Sequence, residues 1–151
     1  RYGNLVDRFS ISNQHVADAV AGYGIPAERI EVIYTGVDAE QEFAPERVEP
    51  VAKFPEERLD VLFAARLVPQ KDPLLMVDVA SELRAREVDF RFHVVGDGEL
   101  KEQVEARVAS AGVADRVDFH PPTPGLHDWY AATDAMLMTS TFEACLRGLR
   151  G

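Results

Sequence analysis

Short β-branched runs alternate with helix-period segments along most of this chain, which restricts it to an α/β architecture with a largely parallel sheet. Asp7 to Ile11 is a brief strand-like run, after which Ser12 or Asn13 can cap a helix through about Ala21. Gly22 and Gly24 end that helix, and Pro26 keeps it from continuing. Ile30 to Tyr34 is the next β-branched run. From Asp38 to Asp60 the pattern fails: Pro45, Pro50 and Pro55 stand among glutamates with few apolar groups, and the stretch reads as a linker.

Beyond the linker the alternation is regular. Leu59 to Ala65 reads as a buried strand, and Asp72-Pro73 as a helix start with the acid at the cap and proline in the first turn. The helix is expected to bury Leu75, Val79 and Leu83 as one stripe and to end near Arg84 and Arg86. Phe90 to Val95 is a strand, and Glu99 to Ala111 a helix with Leu100, Val104, Val108 and Ala111 at helical spacing. Val117 to Phe119, Leu126 to Ala132 and Ala135 to Thr139 read as strand, short helix and strand. Two junctions, Gly24 to Ile30 and Gly112 to Val117, share one grammar of helix end, polar turn and strand start.

Composition narrows the partners. The 151 residues carry 26 acidic and 16 basic side chains, a formal charge of −10, so neither nucleic acid nor an anionic membrane is expected as the main partner. A small anion pocket stays compatible with that charge. The single cysteine, Cys145, cannot form an intramolecular disulfide, so the chain suits a reducing compartment or one indifferent to redox state; no apolar run approaches the length of a membrane span, and a cytoplasmic location is expected. The chain starts at Arg1 and ends Leu-Arg-Gly-Leu-Arg-Gly, which reads as a piece of something longer.

Two pattern matches fail on physical grounds. Gly22-Tyr23-Gly24-Ile25-Pro26-Ala27 fits a dinucleotide fingerprint, but it follows a helix and leads to a strand, the reverse of what pyrophosphate binding needs. Gly96-Asp97-Gly98 has the right surroundings but Lys101 where a third small residue belongs. The histidines His15, His93, His120 and His127 show no clustered spacing, so no metal site is expected. His93 reads as a hydrogen-bonded core or edge residue, whereas His120 falls at the carboxyl edge of a strand.

In parallel sheets ligands sit outside the carboxyl ends of the strands. Three such loops here are chemically distinctive. Residues 65–73 set Arg66 and Lys71 just before a capped helix, a pattern that fits a phosphate or diphosphate site and equally fits two solvated surface charges. Gly96-Asp97-Gly98-Glu99 would let backbone approach a ligand, or simply make a tight turn. Thr139-Ser140-Thr141-Phe142-Glu143 offers hydroxyls and a carboxylate for sugar hydroxyls, or ends a strand in water.

Arg66 to Lys71, Val94 to Leu100 and Ser140 to Ala144, in this order and spacing, resemble the retaining glycosyltransferases of family 4, two-domain enzymes of the GT-B architecture. Val32 to Asp38 is similar to that family's inter-domain junction, with Tyr34-Thr35 in place of Pro-Asn. The resemblance implies a Rossmann-like parallel sheet flanked by helices. Residues 1–38 would be the trailing helix and strand of an acceptor domain, 39–60 a linker, and 61–151 a nucleotide-sugar-binding domain incomplete at its C-terminus. It implies that Arg66 and Lys71 hold the donor diphosphate and stabilise it as leaving group without a metal, and that Glu143 contacts the donor sugar. Gly96, Asp97, Gly98 and His120 would complete the donor site, with loop 120–125 beside the base.

The implied partners are a nucleotide-sugar donor such as a UDP-sugar and a saccharide or lipid acceptor. Any peripheral membrane association would come only through the N-terminal domain. The family's second glutamate falls where Gly151 stands, so the tail from Ala144 is expected to be a truncation, a frame change or an appended segment, and the isolated chain to be inactive. Two other readings remain compatible with the residues: a non-catalytic nucleotide(-sugar)-binding α/β module, and an α/β interaction domain whose cations and Glu143 are only surface groups.

Overall fold

A computed structural model of the chain describes residues 6–34, 36, 54 and 57–142, which fall into two compact units considered separately. In the first, β1 (Phe9–Ile11) and β2 (Ile30–Val32) pair in parallel with Phe9 opposite Ile30. The helix between them, α1 (Gln14–Gly22), buries Ala17. Of the two capping candidates, Asn13 makes the cap, its side chain accepting from the Val16 N–H at 2.9 Å. Gly24, at φ +84°, turns the chain out of the helix in a region that costs glycine nothing.

The second unit is a four-stranded parallel sheet in the order β5-β4-β3-β6. Its strands are β3 (Leu59–Ala64), β4 (Phe90–Val95), β5 (Val117–His120) and β6 (Ala135–Met136), the last shorter than its sequence pattern suggests. Helices α2 (Pro73–Ala85), α3 (Lys101–Ser110) and α4 (His127–Ala132) connect them. The α/β architecture with a parallel sheet expected from the alternation is therefore the observed one, as is the Rossmann-like sheet that the resemblance implies. Both junctions of shared grammar become single 3-10 turns, Ala27–Arg29 and Ala114–Arg116, each feeding a parallel strand.

Strand pleating gives the sheet two unlike faces. One carries Val61, Phe63, Phe90, Phe92, Val94 and Val117, and packs on Met76, Val77 and Ala80 of α2 and Val104 and Val108 of α3. The other carries polar residues. There the Asp60 carboxylate, fully buried, is bonded by Arg58 at 2.9 and 3.2 Å and by His93 Nε2 at 2.7 Å. Phe54 stacks on the His93 ring, with centroids 4.3 Å apart, and Trp129 of α4 lies 5.5 Å from it. Buried carboxylates persist only when paired in this way.

α2 begins where sequence places it. Asp72 adopts the left-handed region (φ 43°, ψ 59°) and accepts from the Leu75 N–H, and Pro73 follows in the first turn. The buried stripe differs from the expected one. Pro73, Met76, Val77 and Ala80 face the sheet, Val79 and Leu83 lie at its margin, and Leu75 is 44% exposed. Apolar residues cover most of this helix's circumference, so spacing alone did not single out the arc that meets the sheet. Met76→Ala should accordingly cost about 2–5 kcal/mol, and Leu75→Ala no more than about 0.5 kcal/mol, in urea unfolding. Equal losses at the two positions would contradict the packing described.

Candidate functional site

The chain builds the sheet outward from β3 to β4 to β5, then returns across β3 to lay down β6. The reversal at β3/β6 is a topological switch point, where open α/β sheets leave a crevice outside the carboxyl ends of the strands. The loop after β3, carrying Arg66 and Lys71, borders it on one side, and the segment after β6 borders it on the other.

The loops after β3 and β4 are locked together. Ala65 N–H donates to Val95 at 3.2 Å, Leu67 N–H to Asp97 at 2.9 Å, and Leu100 N–H to Leu67 at 2.9 Å. The glycines make this approach possible. A Cβ on Gly96 would stand 1.9 Å from the Ala65 carbonyl oxygen, and one on Gly98 2.5 Å from that of Leu67. Both glycines thus serve the contact between loops. Asp97 is exposed, and its carboxylate accepts from the Gly98 N–H at 2.8 Å.

Against these loops lies an open cavity of about 200 Å³, lined by Arg66, Val95, Gly96, Asp97, Pro122 and Thr123 among others. Arg66 is exposed at its rim, whereas Lys71, half-buried, is not among its lining residues. The cavity brings the loop after β5 beside those after β3 and β4, three of the regions singled out in the sequence. His120 contributes differently from expectation. Its carbonyl accepts from the Gly96 N–H at 3.2 Å, but its ring packs 4.5 Å from Trp129 on the polar sheet face and does not line the cavity.

Two of the three hydroxyls after β6, those of Thr139 and Thr141, bond the loop after β3. Thr139 Oγ1 lies 2.7 and 2.8 Å from the Lys71 and Asp72 carbonyl oxygens, and Thr141 Oγ1 3.2 Å from that of Gln70. Thr141 N–H donates to the same Gln70 oxygen at 2.9 Å, and the Gln70 amide returns a bond to the Phe142 carbonyl at 3.1 Å. These bonds fasten the segment to the Arg66–Lys71 loop. Glu143 comes next in the chain but lies outside the described residues, as do the linker apart from Phe54 and residues 57–60, and the tail from Ala144.

One grouping escaped the sequence reading altogether. His93, Asp118 and His120 come together on the polar face, with one potential ligand atom from each within 4.8 Å of the others. Spacing along the chain hides this, because the residues belong to neighbouring strands. The pairing of Phe92 with Val117, which sets His93 opposite Asp118, supplies it. Burial, and next the adjacent His93, hold the His120 pKa below the usual 6.5, with Asp118 opposing them.

The sequence matches the family described as glycosyl transferases group 1 over residues 46–145. It is 30% identical to a D-inositol 3-phosphate glycosyltransferase of Streptomyces bingchenggensis, over 91% of this chain and 34% of that protein. It is 35% identical to a 2-deoxystreptamine glucosyltransferase of Streptomyces kanamyceticus, over 82% of this chain and 34% of that protein. The chain thus spans about a third of the length of the curated relatives it matches. The fold is similar to that of Anabaena Alr3699/HepE, solved in complex with UDP and glucose, at a TM-score of 0.72 and 22% identity. That alignment covers 90% of this chain and 38% of the other. Among the described residues no helix is long and apolar enough to cross a membrane.

Gly96→Ala, which forces a methyl group against backbone, should cost about 1–3 kcal/mol and lower the thermal midpoint. An unchanged midpoint would contradict the close approach. The folded state favours neutral His120 while the unfolded chain protonates near pH 6.5. The stability this contributes is complete above that pH and is lost as pH falls through the lower folded pKa. Unfolding in metal-free buffer between about pH 7 and 5 should therefore show a decline in stability that is smaller in His120→Gln.

Proposed function

Because this chain belongs to the glycosyl transferases group 1 family, we propose that the carboxyl edge of its four-stranded sheet holds the diphosphate of a nucleotide-sugar donor for retaining transfer to a saccharide or lipid acceptor. The observation that carries this reading is the loop of residues 65–72. It is fastened to the loop after β4 on one side and to the segment after β6 on the other, and it sets Arg66 and Lys71 between the end of β3 and the start of α2.

The chemistry asks for positive charge at this point. The bond between the anomeric carbon and the diphosphate oxygen breaks, and its electron pair leaves with the diphosphate. An acceptor hydroxyl oxygen bonds the same carbon, and its proton ends on the released diphosphate or in solvent. Cations held in place before the reaction stabilise the developing charge without reorganisation, so Arg66 and Lys71 can supply what a metal would otherwise provide. The setting of Arg66 favours that use. Arg84, Arg86, Arg91, Arg107 and Arg116 all have acidic partners among the described residues, and Arg66 is not in those pairs.

In this reading Gly96 and Gly98 shape the site by letting the loops meet, Asp97 borders it, and His120 supports the loop through its carbonyl. Glu143 would contact the donor sugar. Residues 1–38 would close an acceptor domain and 39–60 would link it to the donor domain of 61–151. The cytoplasm is the expected place of work. The UDP in the solved relative favours a uridine nucleotide as the first probe.

Titration calorimetry of the chain with UDP and GDP tests the proposal. Arg66→Ala and Lys71→Ala should each weaken nucleotide binding by roughly 1.5–3 kcal/mol, about ten- to a hundredfold. Binding unaffected by both substitutions would remove the diphosphate role. Product formation with a UDP-sugar and a saccharide acceptor separates transfer from nucleotide binding alone.

A further inference from the structure

The polar face of the sheet holds a grouping that donor binding does not use. His93 is 3% exposed, and its Nε2 stands 2.7 Å from Oδ1 of the buried Asp60. Arg58 bonds both oxygens of that carboxylate, which keeps Asp60 an acceptor and His93 a donor from Nε2. In the neutral imidazole this arrangement leaves His93 Nδ1 as the acceptor nitrogen. It is buried without a hydrogen-bond partner, and so is Nε2 of His120. Two buried imidazole nitrogens left unpartnered beside a carboxylate are a costly arrangement for an empty fold.

We propose that His93, Asp118 and His120 form a binding site for a divalent transition metal of the zinc class, joining β4 to β5 at the base of the loop that follows His120. Two imidazoles and one carboxylate suit zinc, cobalt, nickel or copper better than magnesium or calcium, which take oxygen ligands. The Asp60 carboxylate on the far nitrogen of His93 is the support that metal-ligating histidines ordinarily have, fixing both tautomer and ring orientation.

The ligand atoms now lie within 4.8 Å of one another. A tetrahedral ion with bonds of about 2.0–2.2 Å holds its ligands about 3.4 Å apart, so small rotations of His120 and Asp118, both only partly buried, close the set. Both Asp118 oxygens accept from Arg91 Nη1, at 2.8 and 2.7 Å, and keep further lone pairs for a metal. The Asp118 side chain is 40% exposed, which leaves the fourth position to water. The ion would act as a clamp between strands, outside the cavity lined by Arg66 and Gly96.

Trp129, the chain's one tryptophan, sits 4.5 Å from the His120 ring and 5.5 Å from that of His93, so it reports directly on this site. The chain, stripped with a chelator, is titrated with Co²⁺ while tryptophan fluorescence and visible absorption are recorded, and Zn²⁺ is then added. The expected result is saturable quenching at one ion per chain, with d–d absorption of bound cobalt, both displaced by Zn²⁺. His120→Ala and Asp118→Asn should each weaken binding by about tenfold or more, and His15→Ala should not change it. Zn²⁺ should raise the thermal midpoint of the parent chain and not of His120→Ala. His120→Gln repeats the comparison if the alanine variant loses its circular dichroism. Absence of saturable binding, or binding unchanged in both ligand variants, would overturn the site.

Discussion

The backbone of Leu67 holds the working edge of this protein together. The residue is fully buried, its N–H is given to Asp97 and its carbonyl receives Leu100, so two loops that are distant in sequence behave as one body. Breaking either bond would strand a buried main-chain group at a cost of about 1–3 kcal/mol. Gly98, with no side chain, lets the Leu67 backbone come this close, and Gly96 does the same for Ala65. Arg66 stands next to this lock, and Lys71 is reached through a single 3-10 turn, Pro69–Lys71, whose far side is pinned by Thr139 and Thr141. The proposed diphosphate role needs both cations in place before the ligand arrives, and these bonds fix the backbone that carries them.

The two faces of the sheet divide the remaining labour. One is a close-packed apolar layer between strands and the helices α2 and α3, and it supplies most of the burial that stabilises the unit. The other buries charge, Arg58 with Asp60 and Asp60 with His93, roofed by Phe54 and Trp129, and carries the partly exposed Arg91–Asp118 pair beside it. A buried pair of this kind adds little net stability over apolar residues, and loss of one partner is severe. The metal site proposed at His93, Asp118 and His120 would give its retention a reason beyond packing.

How far the sequence could be read depended on whether a signal was local. Caps and turns were legible because Asn13, Asp72, Pro73, Gly24 and Gly112 act on their immediate neighbours. The strand at Phe90–Val95 stood out because its apolar run is bounded by polar turns. Features decided by tertiary partners were not legible. Helix periodicity could not say which side of the widely apolar α2 meets the sheet, so Leu75 was placed inside and Met76 overlooked. That the Thr139 and Thr141 hydroxyls reach the carbonyls of Gln70, Lys71 and Asp72 depends on the fold and not on spacing. The meeting of His93 with His120 needs the β4–β5 register, which no spacing rule along one chain contains.

The central claim is that the loop of residues 65–72 is a diphosphate cradle, and a crystal structure of the chain grown with UDP tests it most directly. The predicted result has diphosphate oxygens within hydrogen-bond distance of the Arg66 guanidinium and the Lys71 ammonium, with the nucleoside extending along the cavity bordered by Gly96 and Pro122. A diphosphate bound elsewhere on the chain, with both cations left in solvent, would contradict it.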